Sequence, residues 1–309
     1  MINRIEPLVA TIPEVLQLAA VQKTLVPFIG AGASQLGGCL GWNEFANAAI
    51  YYFVQHGKIN HAQLHQIAPL PSRIKLSLAL NLQSQHNLPI DFADLLKPNE
   101  VQRETGDKVY ATIAKLESRT FVTTNYDQWL DGIRQPFFRQ SDITVENLEV
   151  PNAVFHIHGS ITDPDNMVIT TADYLRRYAS HGIDGNGGRE NPFLTFLQKL
   201  FELKNVLFIG YSLSELEVLE YVLQKAGTKP LDGLAPKHYI LQGFYSHELE
   251  LARSLEGYFL SLGVGLLPFS KDENNWGQLI HVLEDLVVKL PSGMPLALPV
   301  LREMEGLLE

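Results

Sequence analysis

Phe28-Ile29-Gly30-Ala31-Gly32-Ala33-Ser34 is the stretch that decides how this chain is read. An apolar run from Leu25 to Ile29 passes directly into a glycine turn. Glycines at a strand end let backbone N–H groups approach a phosphate, and a helix N-terminus behind them favours negative charge. Gly30, Ala31, Gly32, Ala33 and Ser34 are therefore candidate cofactor-binding residues. A Gly-x-Gly pair serves any tight turn as well, so the departures from the dinucleotide fingerprint are informative. The sixth position is Gln35 where Gly or Ala belongs, and no second strand ending in an acidic residue follows about 20 residues later. The chain turns instead into a long helical stretch.

Composition narrows the class. The 309 residues are 46% hydrophobic and 19% charged, which describes a globular protein with ample core. A net charge of −10 disfavours sequence-independent nucleic-acid binding, which needs a basic surface. One cysteine, Cys39, excludes a disulfide framework and a four-cysteine zinc module; it reads as a small residue in a glycine-rich loop. The uncharged run from Thr24 to Asn43 contains Pro27 and five glycines, so it reads as strand and loop and not as a membrane span. The opening residues Met1 to Glu6 lack a signal peptide's apolar core, and the expected location is cytoplasmic.

Outward from the glycine turn, helix is expected at 12–24 before the first strand, 25–29. Asn43 is a candidate cap for a helix running to about 56, and a helical insertion extends over about 43–118. Further strands are expected at 119–124, 153–157, 167–170, 205–209, 238–242 and 263–268. They alternate with helices at 172–179, 192–203, 214–226, 246–261 and 274–289. Alternation with continuous apolar strands predicts a doubly wound α/β fold, its mostly parallel sheet covered on both faces. A single domain is expected over 1–290. The stretch 180–191 carries four glycines and reads as mobile. The tail 291–309 has three prolines and a Leu/Met-rich end, and its apolar residues suggest docking in a homo-oligomer or on a partner.

Ligands in such sheets bind at the carboxyl ends of the strands. Four expected strands end in polar or glycine turns: Gly30–Ser34, Asn125–Asp127, His158-Gly159 and Gly210–Ser212. Their convergence is the main functional signal.

Together these turns resemble the sirtuin family. Gly30-Ala31-Gly32-Ala33-Ser34 is similar to its Gly-Ala-Gly-x-Ser loop, and Thr123-Thr124-Asn125-Tyr126-Asp127 to its Thr-Gln-Asn-Ile-Asp segment. His158-Gly159 resembles its catalytic His-Gly pair, and Gly210-Tyr211-Ser212-Leu213 its Gly-Thr-Ser-Leu turn. The zinc ribbon of deacetylating sirtuins is missing, as is the Phe-Gly segment that clamps peptide; Thr162 to Asn166 and Met167 to Tyr174 stand in that place. The pattern resembles the sirtuin-like domains of bacterial antiviral defence proteins. That resemblance implies a metal-free enzyme that takes NAD as substrate and releases nicotinamide and ADP-ribose, depleting the cell of NAD during infection. It also implies control by a separate sensor, such as an Argonaute-type protein or a translocase ATPase. It places Asn125 and His158 in catalysis, and Thr124, Asp127, Gly210, Tyr211 and Ser212 with the glycine loop around the cofactor.

The residues themselves allow these roles. Breaking the nicotinamide–ribose bond passes through an oxocarbenium-like centre and needs a positioned water and a base. His158 titrates near neutrality and suits the base; Asn125 carries both donor and acceptor and can orient water, or can cap a following helix. Asp127 either faces the nicotinamide carboxamide or favours a helix N-terminus. Ser34 and Ser212 are phosphate or ribose hydrogen-bonders, or turn formers. His156 reads as a packed histidine. His61 and His65, four apart without the glutamate of a zinc motif, read as a solvated helix face; Asp163, Asp165 and Asp173 read as loop and cap residues. A zinc-free protein deacylase and a non-catalytic NAD or ADP-ribose sensor are the alternatives.

Overall fold

The computed structural model describes residues 2–116, 118–178, 191–211 and 235–290. The expected helix at 214–226, the glycine stretch up to residue 190, Ser212 and the tail 291–309 lie outside them. Seven strands form one sheet in the order β3-β4-β2-β1-β5-β6-β7, with every described pairing parallel. They are β1 (Leu25–Ile29), β2 (Thr120–Thr123), β3 (Gln135–Phe137), β4 (Ala153–His156), β5 (Asn205–Ile209), β6 (His238–Phe244) and β7 (Val264–Ser270). The described helices are α1 (Glu14–Val21), α2 (Ala31–Leu36), α3 (Trp42–Gln55), α4 (His61–Ile67), α5 (Ser72–His86), α6 (Phe92–Leu96), α7 (Arg103–Ala114), α8 (Thr171–Tyr178), α9 (Pro192–Leu203), α10 (Leu249–Ser261) and α11 (Gln278–Lys289).

The doubly wound class follows from the period of burial. All five residues of β1 are buried, and they divide between two cores. Leu25 and Ile29 face α1, α7 and α11, whereas Val26 and Phe28 face α9 and α10. β5 divides the same way, Leu207 and Ile209 against Val206 and Phe208. Each fully buried side chain of this size contributes roughly 1.5–3 kcal/mol, so both helical layers are held by the same central strands.

Pro27 sits in a central strand, where proline removes a ladder donor. The Ile29 carbonyl accepts from Thr124 N–H and the Gly30 N–H donates to Ile209, so odd positions of β1 face β2 and even ones face β5. The missing donor therefore falls on the β2 side, where the register covers only Phe28 and Ile29, and the Ser118 hydroxyl binds the Leu25 carbonyl there at 2.5 Å.

Several local expectations change. Gly41, not Asn43, opens α3, and its N–H donates to the Glu44 carboxylate at 2.8 Å; Asn43 lies in the first turn. Met167 to Thr170 is not a strand: a single ladder-like bond, Val168 N–H to the His158 carbonyl, is made there. The edge strand β3 was not expected, because Gln135-Pro136-Phe137 is half-exposed and carries no apolar run. The helices expected to start at 246 and 274 begin as 3-10 turns before α10 and α11. Within the helical insertion, α3 to α6 form their own core with Phe45, Phe53, Leu76 and Phe92. Helix α7 instead returns Val109, Tyr110 and Ile113 to the sheet.

Candidate functional site

The strand order reverses at β1, with β2 on one side and β5 on the other. Ligand clefts in open parallel sheets form at such a point. A cavity of about 870 Å³ opens there, lined by residues after β1, β2, β4 and β5 and roofed by α3 and α5 of the insertion. The volume is within the range of small-molecule and cofactor sites, roughly 300–1,000 Å³. Of the expected site residues, Ala31, Gly32, Ser34, Thr124, Asn125, Asp127, His158, Gly210 and Tyr211 line it. Gly30 and Ala33 pack behind them, and Ser212 lies outside the described residues.

The glycine loop is pinned to the neighbouring strand end by two of its N–H groups. Gly30 N–H donates to Ile209 and Gly32 N–H to Gly210, at 2.9 and 2.8 Å. A Cβ on Gly32 would stand 2.9 Å from the Gly210 carbonyl, so glycine there permits two loops to touch. Gly210 answers with φ +64°, a left-handed conformation that favours glycine.

Asn125 is fixed on every side but one. Its side-chain Nδ2 donates to the Gly30 carbonyl at 2.9 Å and to the Tyr110 hydroxyl at 3.0 Å. Its own N–H donates to Thr123 Oγ1, and no helix follows it, so the capping role is not realised. With both Nδ2 protons engaged, Oδ1 is the side-chain atom left to accept a hydrogen bond from a ligand hydroxyl or water. From Asn125 the network continues through Tyr110 and Ser34, 2.8 Å apart, to Asp127 Oδ2, which accepts from Ser34 Oγ at 2.6 Å. Burial raises the Asp127 pKa against the pull of Ser34 and His156. Its carboxyl thus serves as the buried end of this network. Cys39 borders the same wall, and burial with the Asp127 charge pushes its thiol up to about 12, so it is inert.

The two histidines separate cleanly. His156 is buried at the end of β4, with its ring between Asp131 Oδ1 at 2.7 Å and the Asn125 carbonyl at 3.1 Å. Burial opposes its charging, but the Asp131 hydrogen bond and charge raise its pKa. It acts as a buttress of the Asn125 turn. His158 lies in the turn beyond β4 and lines the cavity. Its Nε2 is 2.9 Å from the Tyr178 hydroxyl and its Nδ1 3.5 Å from that of Tyr174. Burial, then Arg177 and Arg73, lower its pKa to about 3. The sequence-based expectation of titration near neutrality is corrected: this imidazole is neutral across the physiological range.

Both tyrosines come from α8, one turn apart, so they share a helix face. Asp173 starts that helix by accepting from Thr170 N–H and Oγ1, which bears out the cap reading of that aspartate. Their spacing after the His-Gly turn was visible in the sequence; Tyr110, delivered by α7 from the insertion, gave no local signal. Thr124 Oγ1 is buried with no hydrogen-bond partner. Among the described residues no group of three His, Cys, Asp or Glu could hold a metal ion, and no helix is long and apolar enough to cross a membrane.

Residues 119–262 match the family model described as the SIR2-like domain. The match takes in Asn125, His158 and Gly210, and it starts after the glycine loop and the insertion. It supports the sirtuin-like resemblance and is consistent with NAD-related chemistry in general. No curated protein matches the chain.

Proposed function

We propose that this protein hydrolyses NAD to nicotinamide and ADP-ribose. The observation that carries the reading is the placement of Asn125 Oδ1 and the neutral His158 ring on one cavity at the sheet's switch point. In the reaction the C1′–N bond breaks and its electron pair leaves with neutral nicotinamide. A water oxygen bonds to C1′, and one water proton passes to a base. Asn125 accepts a hydrogen bond from that water or from a ribose hydroxyl, and the unprotonated but weakly basic His158 ring is the proton acceptor. Thr124 Oγ1 is a free partner for a ribose hydroxyl. Resemblance alone supports the wider setting: an NAD-depleting effector of antiphage defence, working as a homo-oligomer or under a separate sensor protein.

The test is nicotinamide release from NAD by the purified protein, with and without an acetylated peptide. Release without peptide, reduced more than about tenfold by Asn125→Ala and by His158→Ala, is expected. Release that depends on peptide would favour the deacylase, and NAD binding without release would favour a sensor.

A further inference from the structure

The dinucleotide carries two negative charges, and the glycine loop brings no charged side chain to meet them. The N–H groups of Gly30, Gly32 and Ala33 are engaged with Ile209, Gly210 and Gly30, which leaves that of Ala31 without a described partner. Among the described lining residues the single lysine or arginine is Arg73, at the start of α5. Its guanidinium lies over the Tyr174 ring, 3.9 Å from the centroid, and no described carboxylate comes within 4 Å of it. Stacking uses the face of the group and leaves its edge donors for a ligand.

The helix that carries Arg73 is itself suited to an anion. α5 runs for 15 residues, has Pro71 at its cap with no side-chain cap bond, and has no acidic residue in its first turn. Pro71, Ser72 and Arg73 all line the cavity, and the Ser72 and Arg73 N–H groups have no described partner. Unsatisfied N–H groups with the helix dipole behind them favour negative charge. Lys75, one turn in and buried, holds the amide oxygens of Asn43 and Asn47 at 3.3 and 2.8 Å and adds a second positive charge behind the wall. An independent sign that a polar ligand enters here is Thr124, whose buried hydroxyl on the same cavity is unpartnered.

We propose that Arg73 and the N-terminus of α5 hold the diphosphate of the dinucleotide, so the helical insertion supplies the positive charge of the anion site. This assignment rests on the NAD reading above. Arg73 stacks on Tyr174, whose hydroxyl lies 3.5 Å from His158 Nδ1, so the guanidinium borders the His158 end of the cavity.

Calorimetric binding of ADP-ribose, with adenosine as the ligand lacking phosphate, tests it without requiring turnover. Arg73→Ala is expected to weaken ADP-ribose binding about 10- to 100-fold and leave adenosine unchanged, because a charge-assisted hydrogen bond is lost. Arg73→Lys should fall between, and the salt sensitivity of the wild type should diminish in the alanine variant. Should Arg73→Ala fail to fold, Arg73→Gln keeps a stem over Tyr174 and carries the same expectation. ADP-ribose affinity within about threefold of wild type in the folded variant, or equal losses for both ligands, would overturn the diphosphate assignment alone. A wild-type protein that binds neither NAD nor ADP-ribose overturns the NAD reading and this inference together.

Discussion

Replacing His158 with glutamine probes the electrostatics of the cavity through stability, independent of turnover. The ring is held neutral by burial, with Arg177 and Arg73 acting in the same direction, and its pKa falls from 6.5 to about 3. Unfolding returns it to the ordinary value, so between these limits the unfolded chain binds more protons than the folded one. This group's contribution is therefore full above about pH 6.5 and is lost as pH falls toward about 3. At ~1.36 kcal/mol per unit, acidification from about pH 7.5 to about pH 5 removes about 2 kcal/mol through His158 alone.

His238, buried at the foot of β6, is also lowered to about 3 by burial and Lys237, and it adds a loss of the same sign. His156 has the opposite sign. Its raised pKa gives stability that is present below the ordinary value and fades as pH rises through the raised one. Subtracting the variant from the wild type at each pH cancels both. Glutamine can keep the hydrogen bond to Tyr178, and urea unfolding at each pH gives the stability gap. The stability gap between the two proteins should move by about 2 kcal/mol in the variant's favour between about pH 7.5 and about pH 5. A gap constant to within about 0.5 kcal/mol would refute the argument that this imidazole is held neutral by its surroundings.

Two further outcomes follow from the contacts. Gly210→Ala forces a left-handed φ of +64° on alanine and sets a Cβ 2.5 Å from Ala33 N, so the loops after β1 and β5 must separate; a stability loss of at least about 1–3 kcal/mol is expected in thermal or urea unfolding. Tyr110→Phe removes the partner of one Asn125 proton in a buried site, costing about 1–3 kcal/mol and freeing the amide to rotate; if Asn125 Oδ1 acts on the substrate, kcat for NAD should fall while KM changes little.

Much of the fold was legible because burial on two faces writes itself as continuous apolar strands. Leu25–Ile29 and Asn205–Ile209 were placed to the residue, as was α9, which Asn191 caps by accepting from Phe193 N–H ahead of Pro192. β3 was not legible, since an edge strand with a proline and one exposed face carries neither an apolar run nor clean alternation. The candidate site was legible as four turns but not as a set of contacts. The sequence marks Gly32 as special without saying that it packs against Gly210. It marks His158 without the burial that keeps it neutral, or the Arg177 and Arg73 charges that act in the same direction from α8 and α5.

The same distinction explains why Asn125, rather than any other polar residue on the cavity, has one available function. Asp131 orients His156, and His156 holds the Asn125 carbonyl. Thr123 takes the Asn125 N–H, while Gly30 and Tyr110 take both Nδ2 protons. Four groups, from the loop after β1, from β2, β4 and α7, thus bind Asn125 directly, with Asp131 behind His156, and leave Oδ1 as its side-chain acceptor. Such over-determination is costly to build in a low-dielectric interior, where each unsatisfied partner is penalised. A residue needed only to end a strand would not require it. Serving as a fixed acceptor for one hydroxyl or water would, because a small misplacement of that group lowers the rate steeply.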